Sequence, residues 1–175
     1  MKKIILLSFL FCIGLISSAQ HCPFDGSTVI VIKVVDKKGR PVTKLKQPFQ
    51  LVEVDNPEAD SCSFSAGLFQ KDFLPSKKGI MNRYPGSWET WSQRFKDCSL
   101  FGSGCYALVL SMAEDKCMIS QGNDYRYRLR NYMIRYTTRK NKTVQEIPVT
   151  EGNRYSLCTG AGSWCRIKPV TIVIE

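Results

Sequence analysis

Histidine is almost missing from this chain. Its 175 residues contain a single one, His21, near the N-terminus. That scarcity removes most of the common hydrolytic chemistry. A Ser-His-Asp or Cys-His site needs its imidazole held firmly by a third group, and a residue so close to a chain end is rarely held. His21 stands beside Cys22, but a terminal histidine next to a bridged cysteine is the preferred reading. Zinc sites use Cys and His at short spacings such as C-x-x-C, and no such pair occurs. Beyond the first 16 residues there is no long apolar run, so no transmembrane segment is expected. Tandem repeats, low-complexity linkers and cofactor motifs are also lacking. No catalytic residue, metal or cofactor is therefore assigned. The four acids Glu53, Asp55, Glu58 and Asp60 fall in a turn-rich stretch and read as solvated charges, with a weak calcium site as the minor alternative.

Acid is absent from one stretch altogether. From Tyr125 to Lys142 there are seven basic residues and no Asp or Glu. Residues 1–19 carry the marks of an export signal. Lys2 and Lys3 are followed by an apolar run from Ile4 to Ile16, then by small residues at Ser17, Ser18 and Ala19. Cleavage is expected after Ala19. The Ala-Gln junction resembles that of secreted proteins of the Bacteroidetes. Losing Lys2 and Lys3 takes the formal charge from +10 to +8, and the basic stretch carries most of it. The remainder, 20–175, has the length of one soluble domain, secreted or periplasmic.

Seven cysteines follow the signal: Cys22, Cys62, Cys98, Cys105, Cys117, Cys158 and Cys165. In an exported chain they imply a disulfide framework. Cys98-SLFGSG-Cys105 and Cys158-TGAGSW-Cys165 share one spacing, and both read as glycine-rich loops clipped at the neck. Cys22–Cys62 is the favoured third bridge. Cys117 is then the unpaired candidate, either a thiol or one half of an intermolecular bridge.

The strongest strand signal runs from Ser27 to Val54, which reads as a hairpin-like unit. Val29 to Val35 is rich in β-branched residues and apolar on both faces, as in a strand covered on both sides. Asp36-Lys37-Lys38-Gly39 is a turn, because Asp accepts local backbone N–H groups and Gly tolerates positive φ. Pro41 suits a strand start or edge. Phe49 to Val54 alternates as a second strand. The segment Val34-Val35-Asp36-Lys37-Lys38-Gly39-Arg40-Pro41-Val42, with Phe49 to Val54 behind it, resembles the opening of carboxypeptidase-regulatory-like, or transthyretin-like, domains. The resemblance implies an antiparallel Greek-key β-sandwich. That family shares no active site, so no functional residue carries over.

Further along, Asp55 to Gly86 reads as irregular, with Phe73 and Leu74 pinning it to the core. Ser87 caps a candidate short helix over Trp88 to Lys96. Cys105 to Met112 alternates as a strand, Ala113 to Lys116 as a turn, and Cys117 to Ile119 marks another strand. Tyr125 to Tyr136 reads as one long strand whose phase slips at Asn131, which suggests a β-bulge. Thr143 to Val149, Tyr155 to Leu157 and Ile167 to Ile174 complete a mainly β chain.

Two surface features are the functional candidates. Arg126, Arg128 and Arg130 share a strand face about 6.7 Å apart, with Arg135 beyond them. Arginine forks bind phosphate, sulfate or carboxylate. The expected ligand is a polyanion: an acidic glycan, lipopolysaccharide or extracellular nucleic acid. The bland reading is a solvated outer face that also discourages edge aggregation. Tyr84, Trp88 and Trp91 form the second candidate, an aromatic platform for sugar rings, against the reading that they are core. The leading expectation is a non-enzymatic binding or interaction module of the cell envelope, with an envelope protein as another partner class. The alternatives are a small secreted hydrolase or thiol-dependent enzyme with a loop-built site, or a disulfide-linked structural subunit.

Overall fold

The computed structural model describes residues 26–54, 69–84, 102–121, 124–138, 142–156 and 169–175. The chain is mainly β. The β-branched run forms β1 (Thr28–Asp36), the centre of the first sheet. β1 pairs antiparallel with β5 (Cys105–Leu110) over its first six residues. On its other edge it meets β10 (Arg154–Ser156) antiparallel and β11 (Val170–Ile174) parallel. β4 (Leu74–Pro75) adds to the far side of β5. The parallel β11 corrects the expectation of a purely antiparallel arrangement.

The second sheet has the order β3 (Gln70–Asp72), β2 (Gln50–Glu53), β8 (Tyr132–Thr137) and β9 (Val144–Pro148). One apolar core joins the sheets. Ile30, Ile32 and Val34 of β1, with Tyr106, Leu108 and Leu110 of β5, meet Phe49, Leu51, Phe73, Tyr132 and Ile134 from the other side. This arrangement is compatible with a β-sandwich. Leu51 and Ile134 are register partners and both fully buried. Each such side chain contributes about 1.5–3 kcal/mol relative to exposure. The second face of β1 is buried too, through Val29, Val31 and Val35, as its two-sided apolar pattern requires.

The Asp36 turn forms as its residue types dictate. The Asp36 carboxylate accepts the backbone N–H groups of Lys38 and Arg40 at 2.8 and 2.9 Å, and Gly39 takes φ +75°. The Arg40 N–H is the main reason the Asp36 carboxyl titrates below its ordinary range. The chain does not return as a hairpin, however. Only an isolated bridge, Val35 to Pro41, follows the turn, and the chain then crosses to β2 in the other sheet. Tyr106 pins the crossing by donating its hydroxyl to the Val42 carbonyl at 3.0 Å.

Two helices sit where turns and loops were expected. α1 (Ser76–Arg83) follows β4 directly. Its Gly79 lies so close to β5 that an added Cβ would stand 2.2 Å from the Ala107 carbonyl oxygen. α2 (Met112–Asp115) is a single turn fixed by a capping box. Ser111 Oγ accepts the Glu114 N–H at 3.3 Å, while Glu114 Oε2 accepts the Ser111 N–H at 2.8 Å. The expected bulge at Asn131 is a change of sheet instead. β7 (Asp124–Leu129) ends two residues earlier, Arg130 and Asn131 form the link, and β8 begins in the second sheet. The predicted helix over Trp88 to Lys96 lies outside the described residues.

Candidate functional site

β6 (Lys116–Gln121) and β7 form a two-stranded ribbon that belongs to neither sheet. The two strands pair over six positions, from Lys116 opposite Leu129 to Gln121 opposite Asp124. An isolated two-stranded hairpin is marginally stable in water. This one is clamped where it enters the body.

Asp115 immediately precedes β6, and Arg130 immediately follows β7. The Arg130 N–H donates to the Asp115 carbonyl at 2.9 Å. Arg154 of β10 holds both ends at once. Its Nη1 donates to Asp115 Oδ1 at 2.6 Å, and its Nη2 donates to the Arg130 carbonyl. The other oxygen, Asp115 Oδ2, accepts the Thr28 hydroxyl at 2.7 Å. The side chains of Arg154 and Asp115 are only 5% and 1% exposed. The Arg154 guanidinium also lies 5.5 Å from the centre of the Tyr132 ring. Tyr132 donates its hydroxyl to the Glu114 carbonyl, and burial, then the nearby Glu53 charge, push its phenol well above the ordinary tyrosine range.

Arg130 is part of this clamp. Its guanidinium pairs with Glu53 at 3.2 Å and donates to the Ala113 carbonyl at 3.2 Å. The pair is buried, with side-chain exposures of 12% and 6%. Two expectations are thereby corrected. Arg130 does not belong to an open anion-binding face, because β7 has ended and the chain has turned inward. Glu53 is not a solvated charge. Its partner lies 77 residues away, beyond the reach of a local pattern.

Lys71 joins Glu114 from β3. Burial by itself would raise the Glu114 carboxyl, but hydrogen bonds from Lys71 and Ser111 outweigh it and leave the group below its ordinary value of 4.5. A depressed folded-state value means that the stabilisation is complete above pH 4.5 and fades as the pH falls through the lower, native value. Urea titrations of Glu114→Gln across that acid limb should therefore show a shallower loss of stability than the parent. An equal slope would remove Glu114 from the acid response.

What remains on the ribbon is a two-faced surface. Arg126 and Arg128 share one face, opposite Ile119 and Cys117. Met118 and Tyr127 share the other, directly opposite one another, and are 58% and 59% exposed. Arg126 is exposed and Arg128 half-buried. Arg135, the fourth expected arginine, is on β8 in the second sheet. Its Nη2 lies 2.7 Å from Glu146 of β9. The structure therefore brings two of the four arginines together. Met118 and Tyr127 were not singled out from the sequence, although strict alternation in β7 already placed Tyr127 away from the arginines.

The other expected residues fare differently. The Tyr84 hydroxyl donates to the fully buried Ser27 Oγ at 2.6 Å, which ties the end of α1 to the start of β1. Trp88 and Trp91 lie outside the described residues. Cys105 is a buried thiol, so the expected Cys98–Cys105 clip is corrected. Burial raises its pKa, and the nearby Lys33 charge only partly offsets that. Cys117 is disulfide-bonded, which corrects its assignment as the unpaired candidate. Cys105 and Cys117 are the only cysteines among the described residues, and they are not at disulfide distance from one another. Cys22, Cys62, Cys98, Cys158 and Cys165 lie outside that set.

Among the described residues no group of three or more His, Cys, Asp and Glu side chains is placed to hold a metal ion. No described helix is long and apolar enough to cross a membrane. Cavities elsewhere among the described residues include two at the edges of the sheets. One of about 420 Å³ lies between α1 and β5, lined by Lys71, Leu74, Asn82, Arg83 and Val109 among others. The other, about 60 Å³, lies among Leu45, Phe49, Tyr136 and Ile174. Compared with family models, curated proteins and solved structures, the chain matches none of them.

Proposed function

We propose that this chain is an exported, non-enzymatic binding module of the cell envelope that takes a polyanion on the ribbon formed by β6 and β7. Export follows from the signal-like residues 1–19, and a disulfide framework suits that compartment. A transthyretin-like sandwich remains the proposed parent of the opening strands. One observation carries the binding reading. Arg126 and Arg128 lie on one face of a ribbon outside both sheets, and Arg126 is exposed to solvent. Successive same-face residues on a strand stand about 6.7 Å apart, a separation suited to neighbouring anionic groups on a polymer.

The test is retention on an immobilised sulfated polysaccharide at several salt concentrations. Two ionic contacts give a slope of about 1.5–2 in log affinity against log salt. Arg126→Ser with Arg128→Ser should abolish that slope. Arg135→Ser should leave it close to the parent value. Unchanged retention of the Arg126/Arg128 double variant would overturn the reading.

A further inference from the structure

A polyanion alone leaves half of the ribbon unexplained. The face opposite the arginines presents Met118 and Tyr127 in register, both more than half exposed. Large apolar side chains are often exposed singly. Here two stand opposite one another across a ladder, where neighbouring strands lie about 4.8 Å apart, so they form one continuous patch. Leu129 and Lys116 share that face, nearer the clamped base, and both are half-buried. A soluble anionic polymer would neutralise the arginines and leave Met118 and Tyr127 in water.

From this we infer that the ribbon docks on an anionic lipid surface, with Met118 and Tyr127 entering the interface and Lys116, Arg126 and Arg128 meeting the headgroup phosphates. This deepens the proposed function and rests on it. The chemistry of each face selects the ligand. A lipid surface places phosphate charge and apolar acyl material within about 5–10 Å of one another. Tyrosine suits that boundary, with an apolar ring and a polar tip. Arginine side chains can bend back toward the phosphates while their ribbon lies deeper. The charges are complementary: Lys116, Arg126 and Arg128 against lipid phosphate. The buried clamp of Asp115, Arg130 and Arg154 then has a mechanical role. It fixes the angle at which the ribbon meets a flat surface.

The test uses the full exported chain and vesicles of equal parts phosphatidylglycerol and phosphatidylcholine, with sedimentation as the readout. Binding should be strong on these vesicles and at least tenfold weaker on pure phosphatidylcholine. Each cation near an anionic surface is worth about a fivefold change in affinity, so Arg126→Ser with Arg128→Ser should lose about 25-fold. Met118→Ser with Tyr127→Ser should lose about 30-fold or more on vesicles, while retention on the sulfated polysaccharide stays at the parent level. Both side chains are mostly exposed, so an unchanged thermal melt is expected for that variant. Vesicle binding that ignores Met118 and Tyr127, or no vesicle binding beside intact polysaccharide retention, overturns the lipid inference and leaves a soluble polyanion as the ligand. Vesicle binding that ignores Arg126 and Arg128 overturns the polyanion reading instead. Absence of binding to both probes overturns the two together.

Discussion

Replacing Arg154 by Met should lower the unfolding free energy by about 3–5 kcal/mol, as measured by urea denaturation. Against the 5–15 kcal/mol typical of a domain, that is a large share. The magnitude comes from what the substitution leaves behind. Asp115 is 1% exposed, and without Arg154 its buried charge keeps only the Thr28 hydroxyl from this set. The Arg130 carbonyl loses its Nη2 donor at the same time. The clamp is already costly to bury. Among the described residues Nε of Arg154 and Oε2 of Glu53 are buried without a hydrogen-bond partner, so the network is retained at some expense in desolvation. Restoring neutrality should recover part of the loss. The double variant Asp115→Asn, Arg154→Met should be more stable than Arg154→Met alone, with a coupling of 1 kcal/mol or more between the two sites, roughly the range for groups in one buried network. A single-variant loss below about 1 kcal/mol, or simple additivity, would show that Arg154 and Asp115 do not act as a unit. Amide exchange in β6 and β7 gives a second readout. The ribbon should exchange faster in Arg154→Met than the strands of either sheet, because its two ends are no longer held together.

This clamp marks the limit of what the sequence discloses. Local chemistry was legible. The apolar run from Val29 to Val35 is β1, and its two-sided apolar pattern matches a strand buried on both faces. Asp36 and Gly39 make the turn their side chains specify. Phe73, placed in an irregular stretch, does anchor that stretch in the core. The pairing of distant elements was not legible. The turn after Asp36 looks like the start of a hairpin because one turn serves equally for a return or for a crossing, and the choice is made by Tyr106 reaching Val42 from 64 residues away. The phase slip at Asn131 fits a bulge or a change of sheet, and only the Arg130 contacts to Glu53 and Ala113 separate them. Arg130 itself continues the alternation of Arg126 and Arg128, so the sequence presents three equivalent arginines where the structure has two and a buried ion pair. The α2 turn had a usable signal. Ser111-Met112-Ala113-Glu114 is a capping box in sequence, and only its brevity hides it among turns. α1 had none, since SKKGIMNR carries a mid-helix glycine and no apolar stripe at helical spacing.

That glycine gives the second large effect. Gly79→Ala should destabilise the chain by about 3 kcal/mol, even though alanine is the better helix former by about 1 kcal/mol in an open helix. The sign turns on one contact. A Cβ at position 79 would stand 2.2 Å from the Ala107 carbonyl oxygen and 3.0 Å from its carbon. The obstructing atoms are backbone, in a strand paired to β1 along its length and to β4 at Ala107 itself. They cannot swing aside as a flexible side chain would. The helix must lift instead, which loosens Ile80, now 1% exposed, and widens the cavity between α1 and β5. Overpacking of this kind costs about 1–3 kcal/mol and occasionally more. Gly39→Ala separates this mechanism from backbone strain. Gly39 has φ +75° and no atom within 4 Å of an added Cβ, so its loss should stay near the 1–2 kcal/mol of a left-handed alanine. The comparison is made by urea denaturation of both variants. A Gly79→Ala protein as stable as the parent or more so would mean that α1 is free to move away from β5, and that Ile80 is not held by the close approach at Ala107.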